Sequence, residues 1–149
     1  MKIALGCDHG GYAMKEDIKK QLEGLGHEVK DCGTYSTESC DYPIFGEAAA
    51  RAVASGECEY GIVVCTTGIG ISIAANKVKG IRAACCSDCF SAKYTRLHND
   101  ANVLCFGGRV VGPGLACMMV DEFLNAQFEG GRHQRRVDKI SSLEENFGK

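Results

Sequence analysis

Residues 60–70 read YGIVVCTTGIG, an apolar run that leads directly into a glycine-rich turn. Residues 62–64 within it are apolar without alternation, a pattern typical of a parallel strand that is buried on both faces. The glycines permit a tight turn whose backbone N–H groups point at a common spot at the start of a helix. A strand, a turn and a helix in this order form the unit from which parallel α/β sheets are built.

Apolar runs alternate with amphipathic stretches in the same way along most of the chain. We predict strands at residues 2–7, 27–32, 60–65, 81–86 and 102–107, and helices at residues 11–25, 42–55, 69–77, 90–97 and 115–128. About five βα units predict a single α/β domain over residues 1–149, with a Rossmann-like three-layer fold, a parallel sheet of about five strands and helices on both faces. Right-handed crossovers then place every βα loop at the carboxyl edge of the sheet.

The tail, residues 130–149, differs from these units. It opens with basic residues and then carries an apolar stripe at helical spacing, made of Val137, Ile140, Leu143 and Phe147. A helix after the last βα unit has little sheet left to cover. We therefore predict that this C-terminal helix docks on a partner subunit and that the chain forms a dimer.

Composition argues against several classes of function. The net charge of -2 gives no electrostatic reason to expect nucleic acid or an anionic membrane as a partner. No apolar run approaches the roughly 20 residues of a membrane span, and the first residues lack the apolar stretch of a signal peptide. We therefore expect a cytoplasmic protein that binds neither nucleic acid nor a membrane.

The 10 cysteines do not form the pattern of a disulfide scaffold. Four lie within apolar runs and are predicted to be buried thiols in a reduced cytosol: Cys7, Cys65, Cys85 and Cys105. Cys85, Cys86 and Cys89 form a cluster with one CxxC spacing, but no second pair at the spacing of a zinc site follows. Packing is therefore a sufficient explanation of the cluster, and we expect no metal there.

Polar residues stand at the edge of the predicted sheet where ligands bind in open α/β folds. Asp8 and His9 follow the first strand, and Arg109 follows the fifth. His98 and Asn99 come just before the fifth strand. We expect these residues to share one crevice with the glycine-rich loop.

The glycine-rich loop, residues 65–70, suits an anion. Backbone N–H groups at a helix start bind either a phosphate or an oxyanion that develops during a reaction. The loop is not a Walker motif because no GK[ST] follows, and it lacks the third glycine of a dinucleotide fingerprint. Cys65 stands at its first position, where a helix start favours a thiolate that can act as a proton-transfer base. Taken alone, Cys65 is better explained as a structural thiol, since buried cysteines are common in this chain.

Four basic side chains leave two interpretations open. His9 either hydrogen-bonds its own turn or acts as a ligand or acid–base group. His98 either offsets a helix dipole or takes part in chemistry. Arg132 and Arg136, four residues apart, form either a phosphate clamp or a solvated basic face.

Seven separated motifs occur along the chain: GCDH at residues 6–9, DYP at 41–43, CTTGIGISIAANK at 65–77, GIRA at 80–83, HNDANVL at 98–104, GGRVVG at 107–112 and EGGRH at 129–133. Together, and in this order, they resemble the ribose-5-phosphate isomerase B family, which is grouped with the lactose-pathway galactose-6-phosphate isomerase subunits. The resemblance runs from residue 1 to about residue 140. Agreement of several motifs in one order is far more specific than any one of them.

The resemblance implies a sugar-phosphate isomerase that interconverts an aldose and a ketose through a cis-enediolate. It implies a homodimer, in some members a dimer of dimers, with active sites at the interface between subunits. The reaction strictly requires neither an electron sink nor a Lewis acid. We therefore expect no cofactor and no metal.

Carried over by position, Cys65 is implied to be the base that moves the proton between C1 and C2. A branch of the family without this cysteine uses a glutamate a few positions into the next helix, but residues 71–74 read ISIA, without a carboxylate. His98, helped by Asp8, is implied to be the acid–base group for ring opening.

The other implied roles concern binding. Thr67 and the N–H groups from Gly68 to Gly70 correspond to the anion hole for the enediolate. Phosphate ligands and sugar-hydroxyl contacts correspond to His9, Arg109, Arg132 and Arg136, and to Tyr42 and Asn99. Thr66 departs from the family, which often has glycine there; its Cβ restricts φ, and threonine fits the loop if its φ is negative.

Two alternatives remain open at this stage. A six-carbon substrate, allose 6-phosphate or galactose 6-phosphate, needs a larger site. Galactose-6-phosphate isomerase also needs two different subunits, whereas this chain carries the full set of residues, which favours ribose 5-phosphate and ribulose 5-phosphate of the pentose phosphate pathway. A non-catalytic phosphate-binding module would use the glycine-rich loop but would not need both Cys65 and His98.

Overall fold

A parallel sheet forms the middle layer of the molecule. The computed structural model describes residues 1–147, so residues 148 and 149 of the predicted domain lie outside the described residues. Five strands pair in the order β2-β1-β3-β5-β4, and every pairing is parallel. The strands are β1 (Lys2–Cys7), β2 (Glu28–Asp31), β3 (Tyr60–Cys65), β4 (Ala83–Cys85) and β5 (Val103–Gly107). The prediction of a five-stranded parallel sheet is confirmed.

Helices cover both faces of this sheet. They are α1 (Tyr12–Gly24), α2 (Tyr42–Ala54), α3 (Ile69–Ala75), α4 (Cys89–Asn99), α5 (Pro113–Asn125) and α6 (Arg132–Glu145). Apolar side chains of α1, α4 and α5 pack into one cluster with the sheet, and those of α2 and α3 pack into a second cluster on the other face. The three-layer arrangement is therefore as predicted.

The central strand β3 shows why its sequence is apolar without alternation. Ile62 and Val64 belong to the cluster on one face, and Val63 belongs to the cluster on the other. None of the three is more than 1% exposed. Each side of β3 is buried under helices, so each of its positions favours an apolar side chain.

The edge strand β4 departs from the prediction. It covers three residues rather than the predicted residues 81–86, and Cys85 at its end is exposed in the single chain. β4 has a neighbour on one side only, which leaves its last residue open to solvent. The prediction of a buried Cys85 is therefore wrong, whereas Cys7, Cys65 and Cys105 are buried as predicted.

The last helix, α6, lies outside the two helical layers and contacts α4. Val137 is buried within the chain, but the rest of the predicted stripe is not: Ile140, Leu143 and Phe147 are 48%, 73% and 87% exposed. Docking of this face on a partner stays a prediction. Within residues 1–147, no helix has both the length and the apolar character needed to cross a bilayer.

Candidate active site

The carboxyl ends of β1, β3 and β5 lie side by side near the middle of the sheet. The strand order reverses between β1 and β3: β2 pairs with the far side of β1, and β5 pairs with the far side of β3. Ligands of open α/β sheets bind in the crevice at such a switch point. The loops that follow these three strands therefore hold the first group of candidate residues.

Cys65 ends β3 and is buried at this edge. Its Sγ accepts a hydrogen bond from the N–H of Gly68 at 3.1 Å. A backbone N–H directed at a sulfur stabilises negative charge on it. Gly68 has a φ of +80°, and a Cβ at this position would lie 2.5 Å from the backbone carbonyl carbon of Phe106. The loop therefore requires glycine at this position for its conformation and for its fit against β5.

The start of α3 carries the other predicted anion-hole groups. The N–H of Ile69 donates to Thr67 Oγ1 at 3.3 Å. The N–H of Gly70 has no protein acceptor among residues 1–147. A Cβ at Gly70 would lie 2.7 Å from the ring of Tyr42, so this ring stands directly beside the helix start. Two of the three N–H groups thus bond within the loop, and that of Gly70 is left for a ligand.

Thr66 fits the loop with an ordinary backbone conformation. Asp100 is the one non-glycine residue with a positive φ among residues 1–147, so the φ of Thr66 is negative, as its Cβ requires. The backbone oxygen of Thr66 accepts the N–H of Arg109 at 3.2 Å, and that of Cys65 accepts the N–H of Gly108 at 2.8 Å. These bonds hold the loop after β5 against the loop after β3.

Asp8 and His9 follow β1 at the same edge. Asp8 is 5% exposed, and its Oδ1 accepts the N–H of Gly11 at 3.1 Å. Nδ1 of the exposed His9 accepts the N–H of Cys40 at 3.2 Å. A neutral ring with an acceptor at Nδ1 carries its proton on Nε2. His9 therefore offers an N–H donor on its other side.

A buried lysine anchors the segment that reaches His9. Lys15 Nζ donates to Asp31 Oδ1 and to the backbone oxygen of Thr34, both at 2.6 Å. Its side chain is fully buried. Thr34 begins the connection that leads to Cys40, so Lys15 fixes one end of that connection while His9 contacts the other.

The second group of candidate residues lies at the opposite edge. His98 and Asn99 are the last two residues of α4, which runs back from the carboxyl edge to the amino end of β5. Asn102, three residues later, accepts the N–H of Gly61 at the amino end of β3. Roughly the 17–20 Å length of a strand therefore separates His98 from Cys65.

This separation corrects the expectation of one crevice within the chain. Asp8, His9, Tyr42, Cys65, Thr66, Thr67, Gly68, Gly70 and Arg109 lie at the carboxyl edge. His98 and Asn99 lie at the amino edge with Arg132 and Arg136, because α6 packs on α4. Asp8 and His98 thus do not contact each other within one chain. The predicted order already implied this direction, because a helix that connects two parallel strands returns to the amino end of the next strand.

His98 lies against a second histidine. Its ring stacks on that of His133, with centroids 4.0 Å apart and planes inclined by 10°. Glu129 Oε1 lies 3.9 Å from His98 Nε2, and its Oε2 lies 3.6 Å from His133 Nε2. Burial, the charge of His98 and the charge of Arg132 lower the pKa of His133 below its usual 6.5.

The same three side chains are the one group of potential metal ligands among residues 1–147, with their ligand atoms within 4.8 Å of one another. Zinc binds an imidazole nitrogen in the ring plane, at about 2.0–2.1 Å. Two parallel rings 4.0 Å apart direct their lone pairs side by side rather than at one point. As arranged, the two rings do not present converging lone pairs to one metal ion.

Burial affects the acidity of several other thiols of the chain. It raises the pKa of Cys7 to about 12, and those of Cys32 and Cys86 to about 11. Burial likewise raises the pKa of Cys105 well above its usual value. These thiols remain protonated at neutral pH, which fits a packing role for them.

The family model described as Ribose/Galactose Isomerase matches residues 3–140. The chain belongs to this family. It is 56% identical over 144 residues to ribose-5-phosphate isomerase B of Escherichia coli strain K12, a match that covers 97% of each chain. It is 46% identical over 147 residues to the galactose-6-phosphate isomerase subunit LacB of Clostridium acetobutylicum, covering 98% of this chain and 85% of that one.

A solved structure of ribose-5-phosphate isomerase B from Clostridium thermocellum superposes with a TM-score of 0.98. The two sequences are 55% identical, and the match covers 99% of this chain and 100% of that one. The resemblance inferred from the seven motifs is confirmed.

Three residues in or near the site were not singled out by the sequence for a role. Lys15 looked like an ordinary polar position of an amphipathic helix. Glu129 precedes the Gly130-Gly131 pair in a recognised motif and His133 lies two residues after that pair, yet nothing in the sequence places them against His98. The one sequence feature that could have indicated a role was the charged Glu129 beside the glycine pair of that motif.

Proposed function

We propose that this protein interconverts D-ribose 5-phosphate and D-ribulose 5-phosphate through a cis-enediolate. The observation that carries the proposal is the thiol of Cys65, which accepts the N–H of Gly68 at the switch point of the sheet. The high identity to enzymes named ribose-5-phosphate isomerase B, in sequence and in structure, supports the same reaction.

The proton transfer is assigned to Cys65. As a thiolate it removes the proton from C2 of the open-chain aldose and returns it to C1 of the enediolate, while the proton of the C2 hydroxyl passes to the oxygen on C1. Removal of the proton from C2 leaves negative charge on the sugar oxygen. The N–H of Gly70 and the hydroxyl of Thr67, at the start of α3, are placed to stabilise it, and one oriented donor is worth roughly 3–4 kcal/mol of barrier.

Ring opening precedes this step. The bond between C1 and the ring oxygen O4 breaks, O4 takes a proton, and the hydroxyl on C1 loses one to become the carbonyl. We assign the acid–base work to His98 with help from Asp8. Tyr42 and Asn99 are assigned to the sugar hydroxyls.

The phosphate is assigned to His9, through its Nε2 proton, and to Arg109, Arg132 and Arg136. The three arginines are exposed and form no ion pair within residues 1–147. A clamp at the phosphate supplies binding energy remote from the reacting carbons and orients them.

The division of the residues between two edges supports a site that a second copy of the chain completes. We propose a homodimer, or a dimer of dimers, in which the Cys65 edge of one protomer faces the His98 edge of its partner. The exposed apolar side chains of α6 supply surface for such a contact. Each complete site then contains residues of both protomers.

The test is turnover of ribose 5-phosphate in the presence of EDTA by wild type, Cys65→Ala and Cys85→Ala. Cys85 is the matched control because it is an exposed cysteine at the end of β4, which β5 separates from β3 in the sheet. We expect Cys65→Ala to lose activity and Cys85→Ala to keep it. Iodoacetamide should inactivate wild type, and sugar phosphate should slow that inactivation.

Other outcomes identify the alternatives. Wild type that turns over only galactose 6-phosphate or allose 6-phosphate would indicate the six-carbon substrate, an outcome favoured by the relative from Clostridium acetobutylicum. Wild type that turns over no sugar phosphate would indicate a phosphate-binding module instead. Full activity in Cys65→Ala would remove this thiol from the mechanism.

A further inference from the structure

Two positive charges on the stacked histidines would repel each other. The ring centroids are 4.0 Å apart, where two unit charges repel by about 4 kcal/mol at an effective dielectric constant of 20. The stack therefore disfavours a second charge beside the first, and the groups around the pair add to this effect.

The surroundings disfavour a positive charge on His133. The side chain of His133 is 6% exposed, whereas that of His98 is 33% exposed, so burial disfavours a charged His133 more strongly. Arg132 and Arg136 on the same helix act in the same direction on His133. The ring of Tyr94, which also lies on α4, contacts the His98 ring edge-on.

Glu129 is the carboxylate that faces this pair. Its two oxygens lie 3.9 Å from His98 Nε2 and 3.6 Å from His133 Nε2, which is within ion-pair range. Its backbone N–H donates to the oxygen of Leu97 at 3.0 Å, so the backbone of Glu129 is held beside the last turn of α4. Nε2 of His133 has no hydrogen-bond partner and is buried. The carboxylate therefore lies beside the one buried imidazole nitrogen that lacks a hydrogen bond among residues 1–147.

We propose that Glu129 is a positioning residue for ring opening, which holds the His98 ring against His133 and stabilises the imidazolium form of His98. His98 then donates a proton from Nε2 to O4 as the C1–O4 bond breaks and its electron pair passes to O4. The inference rests on the proposed function because it assigns the ring-opening step of that reaction.

The chemistry of the two substrates separates this step from proton transfer by Cys65. Ribulose 5-phosphate cannot close a furanose ring because its O5 carries the phosphate. Exchange of its C1 proton with deuterium from solvent therefore needs the enediolate step but no ring opening. Turnover that starts from ribose 5-phosphate needs both.

The experiment compares both rates in wild type, Glu129→Gln and the control Glu122→Gln. Glutamine keeps the size and the backbone bond of Glu129 and removes its charge. Glu122 is 43% exposed against 48% for Glu129 and pairs only with Lys93 within residues 1–147, so it matches the change in charge and exposure. We expect Glu129→Gln to lower turnover of ribose 5-phosphate at least about tenfold while deuterium exchange stays within about twofold of wild type. Glu122→Gln should leave both rates unchanged.

The remaining outcomes are distinct. Normal turnover in Glu129→Gln would overturn the inference and leave the proposed function standing. An equal loss of turnover and exchange would overturn it too, because a defect of folding or assembly affects both steps. If wild type shows neither turnover of ribose 5-phosphate nor deuterium exchange, the proposed function itself is wrong.

Discussion

The N–H of Gly68 donates to the Sγ of Cys65 at 3.1 Å, and this contact depends on a backbone conformation that other residues rarely adopt. The φ of Gly68 is +80°, and a Cβ there would meet the backbone of Phe106. A positive φ costs an ordinary residue roughly 1–2 kcal/mol, and the steric conflict adds to that cost.

We therefore expect Gly68→Ala to lower the free energy of unfolding by at least about 2 kcal/mol and to reduce kcat strongly. Urea unfolding and initial rates measure the two effects. Gly114→Ala is the matched control, because Gly114 lies in the first turn of α5 and a Cβ there meets nothing within 4 Å. Equal stability of the two variants would show that the conformation of residue 68 does not matter.

The local sequence pattern was sufficient to predict the layers of the fold, but it did not predict the arrangement of the site. The buried strand β3 and the start of α2 at Tyr42 are encoded by neighbouring residues, whereas α5 begins two residues before its predicted start. His98 and His133, which stack on each other, are 35 positions apart and lie on different helices. The spacing of apolar residues within one helix does not predict such a contact. The distance of His98 from Cys65 follows from the direction of α4. The motifs identified the residues, and only the fold showed that they form two groups.

Lys15 gives a second prediction, on stability. Methionine keeps the length of this buried side chain but leaves Asp31 and the oxygen of Thr34 without their donor. Breaking a buried pair costs roughly 3–5 kcal/mol. We expect Lys15→Met to lower the free energy of unfolding by about 3 kcal/mol. This is the low end of the range for a buried pair, because Asp31 is 15% exposed and Lys19 remains 3.7 Å from it.

Urea unfolding of Lys15→Met against Lys20→Met measures this cost. Lys20 is on the same helix, is exposed and forms no ion pair within residues 1–147. A loss in Lys15→Met no larger than in Lys20→Met would contradict the anchoring role. We also expect a higher KM for sugar phosphate in Lys15→Met, since the connection from Thr34 to Cys40 contacts His9.

His133 leads to a prediction on pH. Its pKa in the folded protein lies below 6.5, so the unfolded chain binds this proton more tightly. The stability contributed by neutral His133 is therefore complete above about pH 6.5 and is lost as the pH falls through the lowered folded-state pKa. Unfolding of wild type between pH 7.5 and pH 5.5 should show this decline, and His133→Gln should show a shallower one. The same slope in both proteins would assign the decline to other groups.

The two-edge arrangement predicts that two inactive variants restore each other. Cys65→Ala removes the thiol from one edge and His98→Asn removes the imidazole from the other. In a mixed dimer with shared sites, one site collects both defects and the other has none. Random mixing makes about half of the dimers mixed, so co-expression of the two variants should recover about a quarter of wild-type activity.

Co-expression of Cys65→Ala with Asp8→Asn is the matched control, because both changes lie at the same edge and every site of a mixed dimer keeps one defect. Recovery in the first pair alone would mean that each site draws Cys65 and His98 from different protomers. No recovery in either pair, with mixed dimers confirmed by mass, would place each complete site within a single chain. That result would require α4 to lie elsewhere than at the amino edge of the sheet, because the length of β3 otherwise keeps the two side chains apart.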